Sequence, residues 1–207
     1  MAINSSTSSN ILLLALTLVL AILTKTQAND PDILTDFITP NTTSVDASFF
    51  TYSGLSGFFN PNPNNFTVIK ATMTQFPALN GQSVSYAVLQ FPPASVNQPH
   101  THPRAAELLL VIMGTLEVGF IDTKNVLFNQ TLIEGDMFVF PKGLVHFQYN
   151  RNHNQAAIAI SAFGSANGGL LSVPKSVFAS GIDDNVLAKS FKTDVPTVQK
   201  IELGLKN

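Results

Sequence analysis

Cysteine and tryptophan are both absent from this 207-residue sequence, and charged residues make up only 12% of it. Without cysteine the chain can form no disulfide and has no thiol for catalysis or metal binding. The formal net charge is −2 and no run of lysine or arginine occurs. This excludes the basic surface that a nucleic acid or an anionic membrane requires, so neither partner is expected. Any metal must be held by nitrogen and oxygen atoms.

Apolar residues account for 45% of the chain and include 16 phenylalanines, so a sizeable core can form. The length suits one domain with short appendages. Between residues 64 and 163, short runs rich in β-branched and aromatic residues alternate with turn signals, and no internal repeat appears. This pattern predicts a single antiparallel sandwich or barrel. The predicted strands are Thr67–Thr72, Val84–Phe91, Glu107–Met113, Thr115–Ile121, Val126–Leu132, Met137–Phe140, His146–Tyr149 and Ala156–Phe163.

The longest apolar run lies near the N-terminus, from Ile11 to Leu23. Its 13 residues are too few to cross a bilayer of about 30 Å. The small residues Thr26 and Ala28 follow, as at a signal-peptidase site, so residues 1–28 are predicted to be a signal peptide of a secreted protein. Residues 2–10 carry no lysine or arginine, which leaves an uncleaved anchor as the alternative. Three sequons give candidate glycosylation sites at Asn41, Asn65 and Asn129.

The segments on either side of the predicted barrel differ from it. Residues 29–63 are polar and rich in turn signals, which predicts an irregular arm. Residues 164–207 are predicted to be a helical tail, with Asp183 and Asp194 each capping a helix and Pro196 in the first turn of the second. An apolar stripe on that second helix requires cover from the barrel or from a neighbouring subunit. The stripe consists of Val195, Val198, Ile201, Leu203 and Leu205.

Three of the four histidines stand at the ends of predicted strands. His100 and His102 are two residues apart, so strand alternation places both on one face, as a shared ion requires. Glu107 opens the next strand, and His146 opens a later one. A His-X-His pair alone is about as often structural as metal-binding. His153 lies in a polar turn and is expected to be an ordinary surface residue.

Two longer motifs contain these residues. The first is NQPHTHPR at residues 97–104, followed by Glu107 and Gly114, and the second is GDMFVFPKGLVHFQYN at residues 135–150. In order and separation they resemble the two signatures of the cupin superfamily, most closely those of germins and germin-like proteins. The resemblance covers arm, barrel and tail, and it implies an all-β fold, a single cupin jelly-roll β-barrel plus C-terminal α-helices. It also implies a Mn²⁺ ion inside the barrel, bound by His100, His102, Glu107 and His146.

The chemistry of this ligand set is consistent with manganese. Three imidazoles and a carboxylate would complete the tetrahedral shell of zinc and leave no position for a ligand. An octahedral manganese ion would keep positions open beside the same residues. Those positions could take water, superoxide or a small anionic ligand such as a carboxylate.

The resemblance implies a function and an assembly as well. Germin-like proteins are glycosylated proteins of the plant apoplast and cell wall, and they assemble as homohexamers that are trimers of dimers. From the activities in the family we expect a defence-related, superoxide dismutase-like protein. The alternatives are a metal-dependent receptor or binding protein, and a structural or storage protein of the nutrient reservoir type, both without turnover.

Two positions depart from the family pattern. Germins usually carry a cysteine pair in the arm, and Ile38 stands where the first cysteine would fall. Oxalate-oxidising germins orient their substrate with two asparagines; one corresponds to Asn97, a candidate substrate-binding residue, but the other falls on Ala87. Losing a buried hydrogen bond to a charged ligand costs about 1.5–3 kcal/mol. Oxalate oxidase activity is therefore not expected.

Overall fold

The computed structural model of the protein describes residues 30–40, 45–57 and 64–206. The predicted signal peptide (residues 1–28) and the sequon at Asn41 lie outside these ranges. The strands are β1 (Thr67–Ala71), β2 (Ser85–Phe91), β3 (Val96–Thr101), β4 (Glu107–Met113), β5 (Leu116–Ile121), β6 (Leu127–Leu132), β7 (Met137–Phe140), β8 (Val145–Tyr149), β9 (Ala157–Phe163) and β10 (Leu171–Ser172). The helices are a 3₁₀ turn (Pro77–Leu79), α1 (Val173–Phe178), α2 (Asp184–Ser190) and α3 (Val195–Leu205).

The strands form two antiparallel five-stranded sheets, in the orders β1-β2-β9-β4-β7 and β10-β3-β8-β5-β6. One hydrophobic core joins them: Leu109 and Phe91 of the first sheet are buried with Leu116 and Val118 of the second. The apolar residues that alternate along these strands supply this core, as period-two patterning requires. The expectation of an all-β fold with a helical tail is confirmed.

The predicted strands agree with β1, β2 and β4 to β9 to within a residue at each end. Two strands are missing from the predicted runs, β3 and β10, although His100 and His102 were expected to end a strand segment. Strand β3 reads VNQPHT and alternates poorly, and its pairing with β8 is shifted between Asn97 and His100. A short polar strand with a proline and an irregular register carries little of the signal on which prediction depends.

The tail contains the two predicted helices. The Asp183 carboxylate accepts hydrogen bonds from the first-turn amides of α2, and that of Asp194 accepts one from Thr197 N of α3 at 2.8 Å. The apolar stripe of α3 is only partly covered: Val198 is fully buried, whereas Leu203 is 64% exposed. Helix α1 was not predicted. Among the described residues, none of the helices has the length and apolar character that a membrane span needs.

The described part of the arm contains no α-helix and no strand. Asp30 attaches it to the barrel, because its carboxylate accepts hydrogen bonds from Ser165 Oγ and Ala166 N, both at 2.6 Å. Ser165 is buried and lies in the connection from β9 to β10. The chain has no cysteine, so no disulfide can attach the arm. This contact attaches it to the barrel instead.

Candidate metal centre

The structure brings the four candidate ligands together between the two sheets. His100 lies on β3 and faces His146 on β8 in the sheet register, His102 follows β3, and Glu107 is the first residue of β4 in the other sheet. All four are buried, with no more than 8% of their surface exposed. One ligand atom from each lies within 4.8 Å of the others. Residues far apart in sequence therefore form one cluster.

Backbone carbonyls fix the orientation of the three imidazoles. Each Nδ1 lies within hydrogen-bond distance of a carbonyl oxygen, so Nδ1–H donates there, and in the neutral imidazole the lone pair is on Nε2. The acceptors are Gln98 for His100 at 2.8 Å, Gly169 for His102 at 2.5 Å and Leu144 for His146 at 2.8 Å. This tautomer directs three nitrogen ligands at the centre of the cluster.

The two oxygens of Glu107 have different surroundings. Oε2 lies 3.0 Å from Nε2 of His146 and 3.1 Å from Nε2 of His102. Oε1 accepts hydrogen bonds from Ser161 Oγ at 2.5 Å and from Gln148 Nε2 at 3.3 Å. Because Oε1 is occupied, Oε2 is the oxygen presented to an ion.

The electrostatics keep two of the ligands, His100 and Glu107, in the protonation states that a metal needs. Burial by itself raises the pKa of Glu107, but with no ion bound, His102 and His146 in their protonated forms donate hydrogen bonds to its carboxylate and bring that pKa below its ordinary value. Burial lowers the pKa of His100 to about 4, and the nearby His146 adds to this effect. At neutral pH Glu107 is a carboxylate and His100 is a neutral imidazole, which are the metal-binding forms of both.

A loop between β9 and β10 supports His102 from outside the cluster. Arg104 Nε donates to the carbonyl of Asn167 at 2.8 Å, and its Nη2 lies 3.3 Å from Asn167 Oδ1. The same Oδ1 accepts from the amide of Gly169 at 3.3 Å, and Gly169 has a φ of +73°. These contacts place the Gly169 carbonyl against His102. The sequence motif contains Arg104 but gave no sign of this distant partner.

A cavity of about 500 Å³ leads to the cluster, and His100, His102 and Glu107 are part of its lining. The candidate substrate residue Asn97 also lines it, with its Nδ2 donating to Gln148 Oε1 at 2.7 Å. Asn97, Gln148 and Glu107 thus form a hydrogen-bonded chain. Ala87 is buried in the same cavity wall.

The remaining candidate residues that the structure describes are not part of the cluster. Asn65 and Asn129 are exposed, as a glycosylation site must be, and His153 is exposed in its turn. Ser161 and Gln148, which hold Glu107, were missed as functional residues. The only sign of Ser161 in the sequence is a hydroxyl in the otherwise apolar run AIAISAF.

The donor set fits a divalent metal ion. Three neutral imidazole nitrogens and a carboxylate oxygen converge in a buried site, and each ligand is held by a second hydrogen bond on its far side. Without an ion, Oε2 of Glu107 is the shared partner of two imidazoles. A cation would satisfy all of these atoms together.

Comparison with known proteins supports the same conclusion. The family model described as Cupin matches residues 57–199. Germin-like protein 9-3 of Oryza sativa subsp. japonica is 59% identical over 207 residues, covering 96% of this chain and 96% of that protein. Germin-like protein 9-1 of the same plant is 50% identical over 207 residues, covering 98% and 82%. A solved oxalate oxidase in complex with the substrate analogue glycolate superposes with a TM-score of 0.75 at 31% identity, covering 85% of this chain and 98% of that one.

These likenesses extend over most of the chain, well beyond the motif residues. In a cupin fold, the buried cluster of three histidines and one glutamate implies a bound metal. The two sheets of the barrel agree with the solved oxalate oxidase structures. The chain belongs to the germin-like proteins, within the cupin family.

Proposed function

We propose that this chain is a secreted, glycosylated manganese protein of the plant apoplast and cell wall, with superoxide dismutase-like activity and a role in defence. The observation that carries the proposal is the buried cluster of three oriented histidines and one glutamate at the end of an accessible cavity. Manganese is proposed from the germin resemblance and from the need for open positions beside four protein ligands.

The chain's own residues would hold the ion and keep its ligands in fixed orientations. His100, His102 and His146 would hold the ion through Nε2, and Glu107 through Oε2. The ion would supply the one-electron exchange that superoxide dismutation requires. Because backbone carbonyls and Ser161 fix the ligands from behind, little reorganisation is needed between oxidation states. The cavity admits a small anion, and superoxide dismutation needs no further recognition of the substrate by the protein.

Oxalate oxidation is not part of the proposal. The side chain of Ala87 faces the cavity and has no hydrogen-bond donor, and one of the two Nδ2 hydrogens of Asn97 is used by Gln148. Losing a donor to a charged substrate costs about 1.5–3 kcal/mol, or roughly 10- to 100-fold in binding. The solved oxalate oxidases have the same fold as this chain, but Ala87 in the cavity wall argues against oxalate as its substrate.

Exposed apolar surface supports a homo-oligomer, and we propose a hexamer of the germin type. On the outer face of the first sheet, Leu108 and Val139 are register partners and are 41% and 54% exposed, and Met137 nearby is 55% exposed. Ile201 and Leu203 of α3 are exposed as well. Light scattering of the purified protein should give a mass of several chains, and Val139→Lys should lower it. A monomeric wild-type protein would contradict the assembly.

The test of activity compares matched proteins. Manganese-loaded wild-type protein should consume superoxide faster than free Mn²⁺ at the same concentration, and Glu107→Gln should reduce this rate together with the metal content. An exposed change such as Asp36→Asn should leave both unchanged. A rate no higher than that of free Mn²⁺ would refute the enzymatic proposal. It would favour a metal-dependent binding protein, a function that the apolar part of the cavity wall also supports.

A further inference from the structure

We infer that the ligand of this cavity is a monocarboxylate with an apolar tail. Its carboxylate would bind at the metal centre, and its tail would lie along the wall that β1 and β2 provide. The inference rests on the proposed function, because the metal ion holds the carboxylate, and it names the class of molecule that the same site takes.

The cavity is larger than a small dicarboxylate needs. At about 500 Å³ it falls within the range of roughly 300–1,000 Å³ typical of pockets that bury most of a drug-sized ligand. The metal ligands occupy one part of the lining. A two-carbon acid bound there would leave the remaining volume filled with water against apolar surface.

The wall contributed by β1 and β2 is apolar. Val68 on β1 is the register partner of Leu89 on β2, and Ala87 lies two residues before Leu89 on the same face. Phe66 lines the cavity beside them and contacts the buried Phe91, with ring centroids 4.7 Å apart. Burying a hydrocarbon tail against such a surface is favourable by about 0.8 kcal/mol per methylene, which is about fourfold in affinity.

Three polar side chains of the described lining already have partners within the protein. Ser85 Oγ donates to the carbonyl of Ser165 at 2.7 Å, and Gln98 Nε2 donates to Ser172 Oγ at 2.8 Å. Asn97 donates to Gln148, as described above. A second carboxylate beside these three groups would have to compete with one of these bonds, which penalises a short dicarboxylate that cannot reach past them.

Lys70 supplies a positive charge at the edge of the cavity. It is the register partner of Ala87, so its side chain projects from the same face of the sheet, and it is exposed. Among the described residues, no ion pair or hydrogen bond engages its ammonium group. An exposed cation adds little binding energy but attracts anions towards the opening. The cavity therefore suits a ligand whose carboxylate passes Lys70 and binds at the metal, while its apolar tail remains against the wall of β1 and β2.

The test is calorimetric binding of a homologous series, from formate through butanoate to octanoate, to the manganese-loaded protein. We expect affinity to rise two- to fourfold per methylene, so that octanoate binds on the order of 100-fold more tightly than butanoate. Oxalate should bind more weakly than octanoate. Metal content is measured on the same samples. Val68→Thr should reduce the gain per methylene, whereas Ile69→Thr, on the opposite face of the same strand, should leave it unchanged.

A second variant distinguishes binding of the apolar tail from binding of the carboxylate. Ala87→Asn places an amide in the apolar wall and should weaken octanoate at least tenfold, whereas formate, which has no tail, should bind at least as tightly as it does to the wild type because the new amide can donate to its carboxylate. Should either variant fail to fold, the wild-type series still decides. If metal is present and formate binds but affinity is flat with chain length, the inference is wrong and the proposed metal centre stands. If the protein binds no metal, the inference and the proposed function both fall.

Discussion

Removing the hydroxyl behind Glu107 tests how the chain prepares its metal site. Ser161 Oγ donates to Oε1 of Glu107 at 2.5 Å, and Ser161 is fully buried. In Ser161→Ala the carboxylate loses a buried, charge-assisted hydrogen bond worth about 1.5–3 kcal/mol, and only the longer bond from Gln148 remains on Oε1. Because that bond keeps Oε2 directed at the ion, metal affinity should fall by roughly 10- to 100-fold, the range found for outer-shell changes.

The assay is competition of Mn²⁺ between the protein and a chelating dye, with thermal unfolding followed in parallel. Ser95→Ala is the matched control, since its hydroxyl donates to the carbonyl of Pro92 at 2.7 Å, away from the metal centre. Its metal affinity should equal that of the wild type. A folded Ser161→Ala protein with wild-type affinity would show that the hydrogen bond does not orient Glu107.

Three further predictions concern stability. In metal-free protein, the pKa of His100 is about 4 when folded and 6.5 when unfolded, so the unfolded state binds more protons between these values. The free energy of unfolding should therefore fall by about 3 kcal/mol as pH drops from 6.5 to 4. The lowered pKa of Glu107 adds a further loss of stability below pH 4.5. Urea unfolding at a series of pH values measures both effects. Asp30→Ala should cost about 1–2 kcal/mol and speed proteolysis of the arm, because two hydrogen bonds are lost. Gly114→Ala should cost about 2 kcal/mol or more in chemical unfolding, because φ is +81° and the added Cβ would lie 2.7 Å from the Ala156 carbonyl oxygen.

Each of these has its own control. His100→Gln removes the first pH-dependent loss, and a metal-free protein equally stable at pH 7 and pH 4 would contradict the shifted pKa. Asp36→Ala changes an exposed arm carboxylate and should leave proteolysis unaltered; equal rates for both arm variants would refute the anchoring role of Asp30. Gly143→Ala has a φ of +76° but open space around the new atom, so it should cost less than Gly114→Ala.

The sequence predicted the barrel strands well because their apolar residues alternate and turn signals separate them. It also predicted α2 and α3, since Asp183 and Asp194 are strong caps. Helix α1 was not predicted, although the sequence contains a signal for it. Ser172 caps the helix and a proline lies in its first turn. Strand β10 has only two residues, too few for any periodic pattern.

The metal centre was predictable only in part. Alternation placed His100 and His102 together, but the motif resemblance was needed to add Glu107 and His146. The residues that hold these ligands could not be identified from local patterns. Ser161 reaches Glu107 because β9 lies next to β4 in the sheet, and the Gly169 carbonyl reaches His102 across 67 residues. Such contacts depend on strand order and loop conformation, which single-sequence periodicity does not contain.

Elemental analysis of the purified protein tests the central claim most directly. Wild-type protein should carry stoichiometric manganese, and Glu107→Gln, isolated in the same way, should carry much less. Manganese in the wild type and its loss in the variant would establish both the ion and the residues that hold it. Stoichiometric zinc, or a folded wild-type protein that takes up no metal, would contradict the account of this site.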